Sequence, residues 1–135
     1  MKKSFSVLRF LPFLFSVLMT VGLITFMGPC VHEDGSAGAC FWAGRALTGM
    51  GAVLSVQGLC AWLLTKSKAA AGVYLAMIFS AAAAIFTPGG LIALCGMASM
   101  RCRAVMQPAA IILSAAVLVL SMINGFREWK RTDEK

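Results

Sequence analysis

Four long apolar runs, at residues 10–27, 46–65, 69–87 and 108–126, are separated by short charged or Gly/Pro-rich pieces. None of them alternates polar with apolar positions, as the strands of a membrane β-barrel would over segments of about ten residues. At a rise of about 1.5 Å per residue, helices of this length reach close to the roughly 30 Å of a bilayer core. The pattern therefore predicts four membrane-crossing helices. Only Lys66, Ser67 and Lys68 separate the second run from the third, so these two helices must lie antiparallel. The predicted fold class is all-α: one transmembrane antiparallel four-helix bundle, made of two helical hairpins and occupying residues 1–135 as a single domain.

Composition agrees with lipid as the solvent. Hydrophobic residues make up 60% of the chain and charged residues 13%, with a mean hydropathy of +0.87, more apolar than a soluble domain of 135 residues normally is. A net charge of +7 raises nucleic acid as a partner, but the basic residues flank the apolar runs, which is the placement that sets membrane orientation. The expected partner is the lipid bilayer, not nucleic acid. The two ends and the Lys66–Lys68 turn hold nine of the twelve Lys and Arg (Lys2, Lys3, Arg9, Lys66, Lys68, Arg127, Lys130, Arg131, Lys135), and the two longer loops hold Arg45, Arg101 and Arg103. Both termini are therefore expected in the cytoplasm, with the loops at 28–45 and 88–107 on the outer side of a bacterial cytoplasmic (inner) membrane. Trp42 at the outer edge and Trp62 and Trp129 at the inner edge match aromatic belts.

The first run is preceded by Lys2, Lys3 and Arg9, like a secretory signal, but its 18 apolar residues are longer than a cleavable signal core and no A-x-A site follows. It reads as an uncleaved first span, with Pro12 near the helix start, where N–H groups have no helical partner anyway. Residues Arg127–Lys135 read as a polar tail. In the third run Gly72, Ala76, Ser80 and Ala84 recur every four residues, a small-residue face expected to meet the looser Gly51, Ser55 and Gly58 row of the second, or else to receive another subunit. Gln57 and Asn124 are expected to bond neighbouring helices. No Asp, Glu, Lys or His falls within a run, which argues against an autonomous ion or proton pump.

Chemistry concentrates in the loops. Cys30, His32, Glu33, Asp34 and Cys40 lie in the first, Cys95 and Cys102 in the second, and an arginine follows each pair (Arg45, Arg103), so the halves form a weak repeat. On the oxidising side of a membrane, disulfides are the plain expectation for Cys30, Cys40, Cys95 and Cys102, and three pairings are open. A redox relay is the sharper alternative, although neither pair has the Cys-x-x-Cys spacing that stabilises a thiolate. Capture of a soft metal by these cysteines with His32, Met97 and Met100 is the third, but the spacing fits no zinc template. Cys60 lies within the second run and reads as a small apolar residue. No phosphate loop, nucleophile elbow or catalytic triad pattern occurs, so no catalytic residue, metal or cofactor is assigned.

Pro29 and Cys30 followed by Cys40, Trp42 and Gly44, and then LCGMASMRC at Leu94–Cys102 followed by Pro108, resemble the domain-of-unknown-function family 4418. Members often carry His directly after the second cysteine, where this chain has Phe41. The resemblance implies a small four-pass protein of the bacterial inner membrane, in many cases encoded near transporter components, and implies no known reaction. The functional expectation is a non-enzymatic accessory or scaffold subunit beside a membrane transporter. The alternative is a quinone-linked thiol-disulfide oxidoreductase, by likeness of layout to the four-helix enzyme that reoxidises the periplasmic disulfide donor.

Overall fold

The computed structural model describes residues 2–26, 38–64, 68–94, 96 and 102–133. Among these are the helices α1 (Lys2–Thr25), α2 (Ala39–Leu63), α3 (Lys68–Phe86) and α4 (Gln107–Asp133), the last entered through a π-helical turn at Cys102–Met106. Each contains a stretch long and apolar enough to cross a membrane. α1 packs on α2 and α4, and α3 packs on α2 and α4, with the most extensive contacts within the pairs α1/α2 and α3/α4. The result is a ring of four antiparallel helices made of two hairpins. The ends of α1 and α3 and the starts of α2 and α4 form what is here called the thiol end; the opposite end carries most of the Lys and Arg and is called the basic end.

The helices overrun the apolar runs. α1 starts at Lys2, α2 at Ala39 and α4 continues to Asp133, so the segment expected to be a polar tail is largely helix. Lys, Arg and Glu are good helix formers, and a helix nucleated inside the bilayer propagates through them into water. Pro12 is consequently well inside α1 rather than at its start.

Buried positions follow a three-four alternation on every helix. They are Arg9, Pro12, Ser16, Met19 and the neighbours Gly22 and Leu23 on α1; Cys40, the neighbours Ala43 and Gly44, Leu47, Gly51, Leu54, Gly58 and Ala61 on α2; Ala70, Tyr74, Met77, Ala81 and Ala84 on α3; Ala110, Ser114, Val117, Ser121, Asn124 and Glu128 on α4. A 3.5-residue period is that of left-handed coiled helices packed at shallow angles. Small and polar residues share the interior with Leu and Met, while Leu18, Val56, Phe79, Ile112 and Phe126 point outward. That inversion is expected where lipid tails are as apolar as leucine and helices associate by close packing.

The small-residue row of α3 behaves differently from its expectation. Gly72 and Ala76 are exposed, Ser80 is half-buried and Ala84 is in the core. A row spaced by four advances about 40° per step around a helix of 3.6 residues per turn, so over its length it winds from the outer surface to the interior. Gly51 and Gly58 of α2 face α1 instead of α3: a Cβ on Gly51 would lie 2.6 Å from Thr20 Oγ1, and one on Gly58 would lie 2.9 Å from Phe13 Cα. The α2/α3 contact uses Gln57 Nε2, which donates to Ser80 Oγ at 3.3 Å.

Pro88-Gly89-Gly90 turns the chain at the thiol end. Gly89 has φ +94°, in the left-handed region that favours glycine, and a Cβ on Gly90 would fall 2.4 Å from the Phe86 carbonyl oxygen. That carbonyl, left over at the end of α3, accepts the Leu91 N–H at 3.0 Å, and Gln107 Nε2 donates to the Pro88 carbonyl at 3.3 Å, tying the turn to the start of α4.

Candidate functional site

At the thiol end, Cys40 occupies the first turn of α2 and is buried, 1% exposed, in a core cluster with Met19, Leu23, Leu47, Ala84 and Met106. Leu94, next to Cys95 in sequence, packs on the same cluster, and Met106 closes the turn that begins at Cys102. The flanks of both cysteine loops thus converge on one apolar core. Cys30, Cys95, His32, Glu33, Asp34, Met97 and Met100 lie outside the described residues, as does the side chain of Cys102. No disulfide joins two described residues. Cys60 is on α2 with Cys40, about 30 Å along the helix. No group of three or more His, Cys, Asp or Glu suited to a metal occurs among the described residues. Arg45 lies on the second turn of α2, with its guanidinium carbon 5.8 Å from the centre of the Phe41 ring.

The basic end holds a polar cluster inside the bundle. The Arg9 guanidinium of α1 forms an ion pair with the Glu128 carboxylate of α4, and the two side chains are 7% and 6% exposed. Arg131, mostly exposed and one turn further along α4, stands 3.9 Å from the same carboxylate oxygen. Beside this pair, Asn124 Nδ2 donates to the Leu8 carbonyl at 3.0 Å. Pro12 explains that bond. Without an N–H, Pro12 cannot donate to the carbonyl four residues earlier, so the Leu8 oxygen is released from the helix ladder. In a bilayer such a group must be satisfied by protein, and Asn124 reaches across from α4 to do so. From α3, Tyr74 packs under Gly125, where a Cβ would be 3.2 Å from the Tyr74 Cβ; its hydroxyl is buried and has no hydrogen bond among the described residues.

Deeper in the bundle, hydroxyls meet thioethers across helix boundaries. Ser114 Oγ donates to Met19 Sδ at 3.5 Å and Ser121 Oγ to Met77 Sδ at 3.9 Å, while Thr87 Oγ1 points to Met50 Sδ at 3.4 Å. Thioether sulfur is a weak acceptor, and the Thr87 hydroxyl has in addition the Ala83 carbonyl as a partner at 2.8 Å.

The family model described as "Domain of unknown function (DUF4418)" matches residues 12–127, most of the chain. The chain belongs to this family. Neither the curated proteins nor the solved structures include a match.

For this DUF4418 member the interior is more polar than its apolar runs suggest. Arg9 and Glu128 lie just outside the runs, one as an orientation charge and the other in the supposed tail, yet the helical windows able to cross the membrane include both. A carboxylate and a guanidinium are therefore inside the bundle, which corrects the expectation of a span interior free of acidic groups. The signal that would have found them is Glu128 itself, an acidic residue among Arg127, Lys130 and Arg131 in the last turns of a helix where carboxylates are disfavoured. Asn124 and Gln57, by contrast, bond neighbouring helices as expected. Trp42 and Trp62, both exposed near opposite ends of α2, are separated by about 30 Å along its axis, the thickness of a bilayer core.

The proline account makes a direct prediction for this DUF4418 protein. Asn124→Ala orphans the Leu8 carbonyl and is expected to cost about 1–3 kcal/mol. Adding Pro12→Ala returns the helical N–H to that carbonyl and should recover most of the loss. Unfolding in mixed dodecyl maltoside and SDS micelles measures both. Equal and additive losses would sink the explanation.

Proposed function

We propose that the protein is a non-enzymatic accessory or scaffold subunit of the bacterial inner membrane, working beside a transporter as one four-helix domain, with both termini cytoplasmic and its outer loops held by disulfides. The observation that carries this reading is how the interior polar groups are used. Arg9 and Glu128 are spent on each other, Asn124 on Leu8 and Gln57 on Ser80, so these four side chains join helix to helix. Groups that carry an ion or proton across a membrane instead face water or one another along a path. The charge count supports the orientation: the basic end carries nine of the twelve Lys and Arg.

The burial of Cys40 weighs against the oxidoreductase alternative, because thiol-disulfide exchange needs an accessible attacking or accepting sulfur. The convergence of Leu94, Met106 and Cys40 on one core supports cysteines that hold the thiol end together.

The test replaces Cys95 and Cys102 by Ser. If the pair closes a ring within the second loop, its removal is expected to lower stability by about 2–3 kcal/mol and to reduce abundance in the membrane, with no loss of thiol-oxidising activity. Mass-spectrometric mapping of the cysteines, with and without reductant, should find an oxidised set that a reduced thiol donor does not exchange. Turnover of such a donor coupled to quinone reduction would instead establish the oxidoreductase.

A further inference from the structure

A groove of about 540 Å³ opens between α3 and α4 on the outer surface of the bundle, near the basic end. Ile78, Met122 and Phe126 line its apolar part, and Arg127 and Trp129 stand at one end. It runs past Gly125, where α4 closes on Tyr74 of α3. From Met122 to Arg127 the helix rises by only about 7 Å, so one molecule can touch both the apolar wall and the guanidinium.

Arg127 is exposed on the outer face of α4. Arg127 forms no ion pair or hydrogen bond among the described residues. The adjacent acid, Glu128, is turned inward onto Arg9. Exposed Lys130 and Arg131 follow on the next turn. Trp129, 66% exposed, is of the type that sits at headgroup level. The site therefore presents a planar cation at the membrane interface above an apolar slot. A guanidinium binds phosphate oxygens in a bidentate fork, and the slot suits a hydrocarbon chain.

We propose that this groove binds an anionic glycerophospholipid from the leaflet at the basic end, with its phosphate on Arg127 and one acyl chain along Ile78, Met122 and Phe126. A net negative headgroup is favoured because Lys130 adds to the same potential, whereas the ammonium of a zwitterionic lipid is repelled by it. One basic residue near an anionic surface is worth roughly a five-fold preference.

The test uses the full chain carrying Trp42→Phe and Trp62→Phe, which leaves Trp129 as the only tryptophan. The protein is reconstituted in phosphatidylcholine bilayers, and brominated phosphatidylglycerol or brominated phosphatidylcholine is titrated in to quench Trp129. Brominated phosphatidylglycerol is expected to reach half-quenching at about five-fold lower mole fraction. Arg127→Gln should remove that difference, and Arg127→Lys should keep most of it. Ile78→Phe, which fills the slot and leaves every charge in place, should weaken quenching by phosphatidylglycerol. Equal quenching by the two lipids overturns the site, as does a preference that survives Arg127→Gln. A preference untouched by Ile78→Phe means diffuse attraction to the basic end and also overturns it. Absence of quenching by either lipid means that polypeptide, such as a second copy, covers the groove, and it too overturns the lipid site.

Discussion

Glu128→Gln is expected to destabilise the bundle by about 3–5 kcal/mol, because it leaves the Arg9 guanidinium buried without its carboxylate. Arg9→Met should cost a similar amount by stranding Glu128. The double variant Arg9→Met/Glu128→Met removes both charges and fills the space with flexible apolar side chains, and it is expected to lie within about 2 kcal/mol of the parent, since a buried pair repays its desolvation poorly compared with hydrophobic replacements. Unfolding in mixed micelles gives all three values, and the double-mutant cycle isolates the coupling. Single variants that each lose less than about 1 kcal/mol would mean that both groups reach water and behave as a surface pair.

The second large effect is expected at Gly58. A Cβ there would meet Phe13 backbone, 2.9 Å from Cα and 3.1 Å from the nitrogen, and backbone cannot turn aside as a side chain can. Gly58→Ala should therefore separate α1 from α2 and cost about 3 kcal/mol, the upper range for overpacking. Gly51→Ala meets the Thr20 hydroxyl, which can rotate away at the loss of its 2.9 Å bond to the Ser16 carbonyl, so about 1 kcal/mol is expected. Gly72→Ala, with nothing within 4 Å, should gain up to about 1 kcal/mol from helix propensity. A loss at Gly72 equal to that at Gly58 would show that the small-residue row of α3 carries a contact absent from the isolated chain.

These graded expectations mark where the sequence was readable. Span positions were, since a helix in lipid must be apolar along its length, and the runs said so. Inward faces were not. In water, burial selects leucine over serine, but here Val56 is exposed and Ser114 and Gly58 are buried, so hydropathy does not separate the two sides. Reading small residues at a spacing of four found a real row on α3 that winds out of the core, while the residues that seat α1 are Gly51 and Gly58, seven positions apart. Gln57 and Asn124 were legible because an amide in an apolar run needs a partner. The Arg9–Glu128 pair was hidden because charges at the edge of a run usually mark the water boundary, and nothing local joins residues so far apart in the chain. Of the loop cysteines, the sequence supplied their common side, and the packing of Leu94, Met106 and Cys40 supplies a common core for the loop flanks.

The bond from Asn124 to the Leu8 carbonyl spans 116 positions of sequence. During biosynthesis α1 therefore keeps one carbonyl unanswered until α4 is made. A nascent chain cut short before α4 leaves that carbonyl without the Asn124 amide, in a medium where water cannot take its place. Closure of α1 and the arrival of α4 are, in this protein, one step.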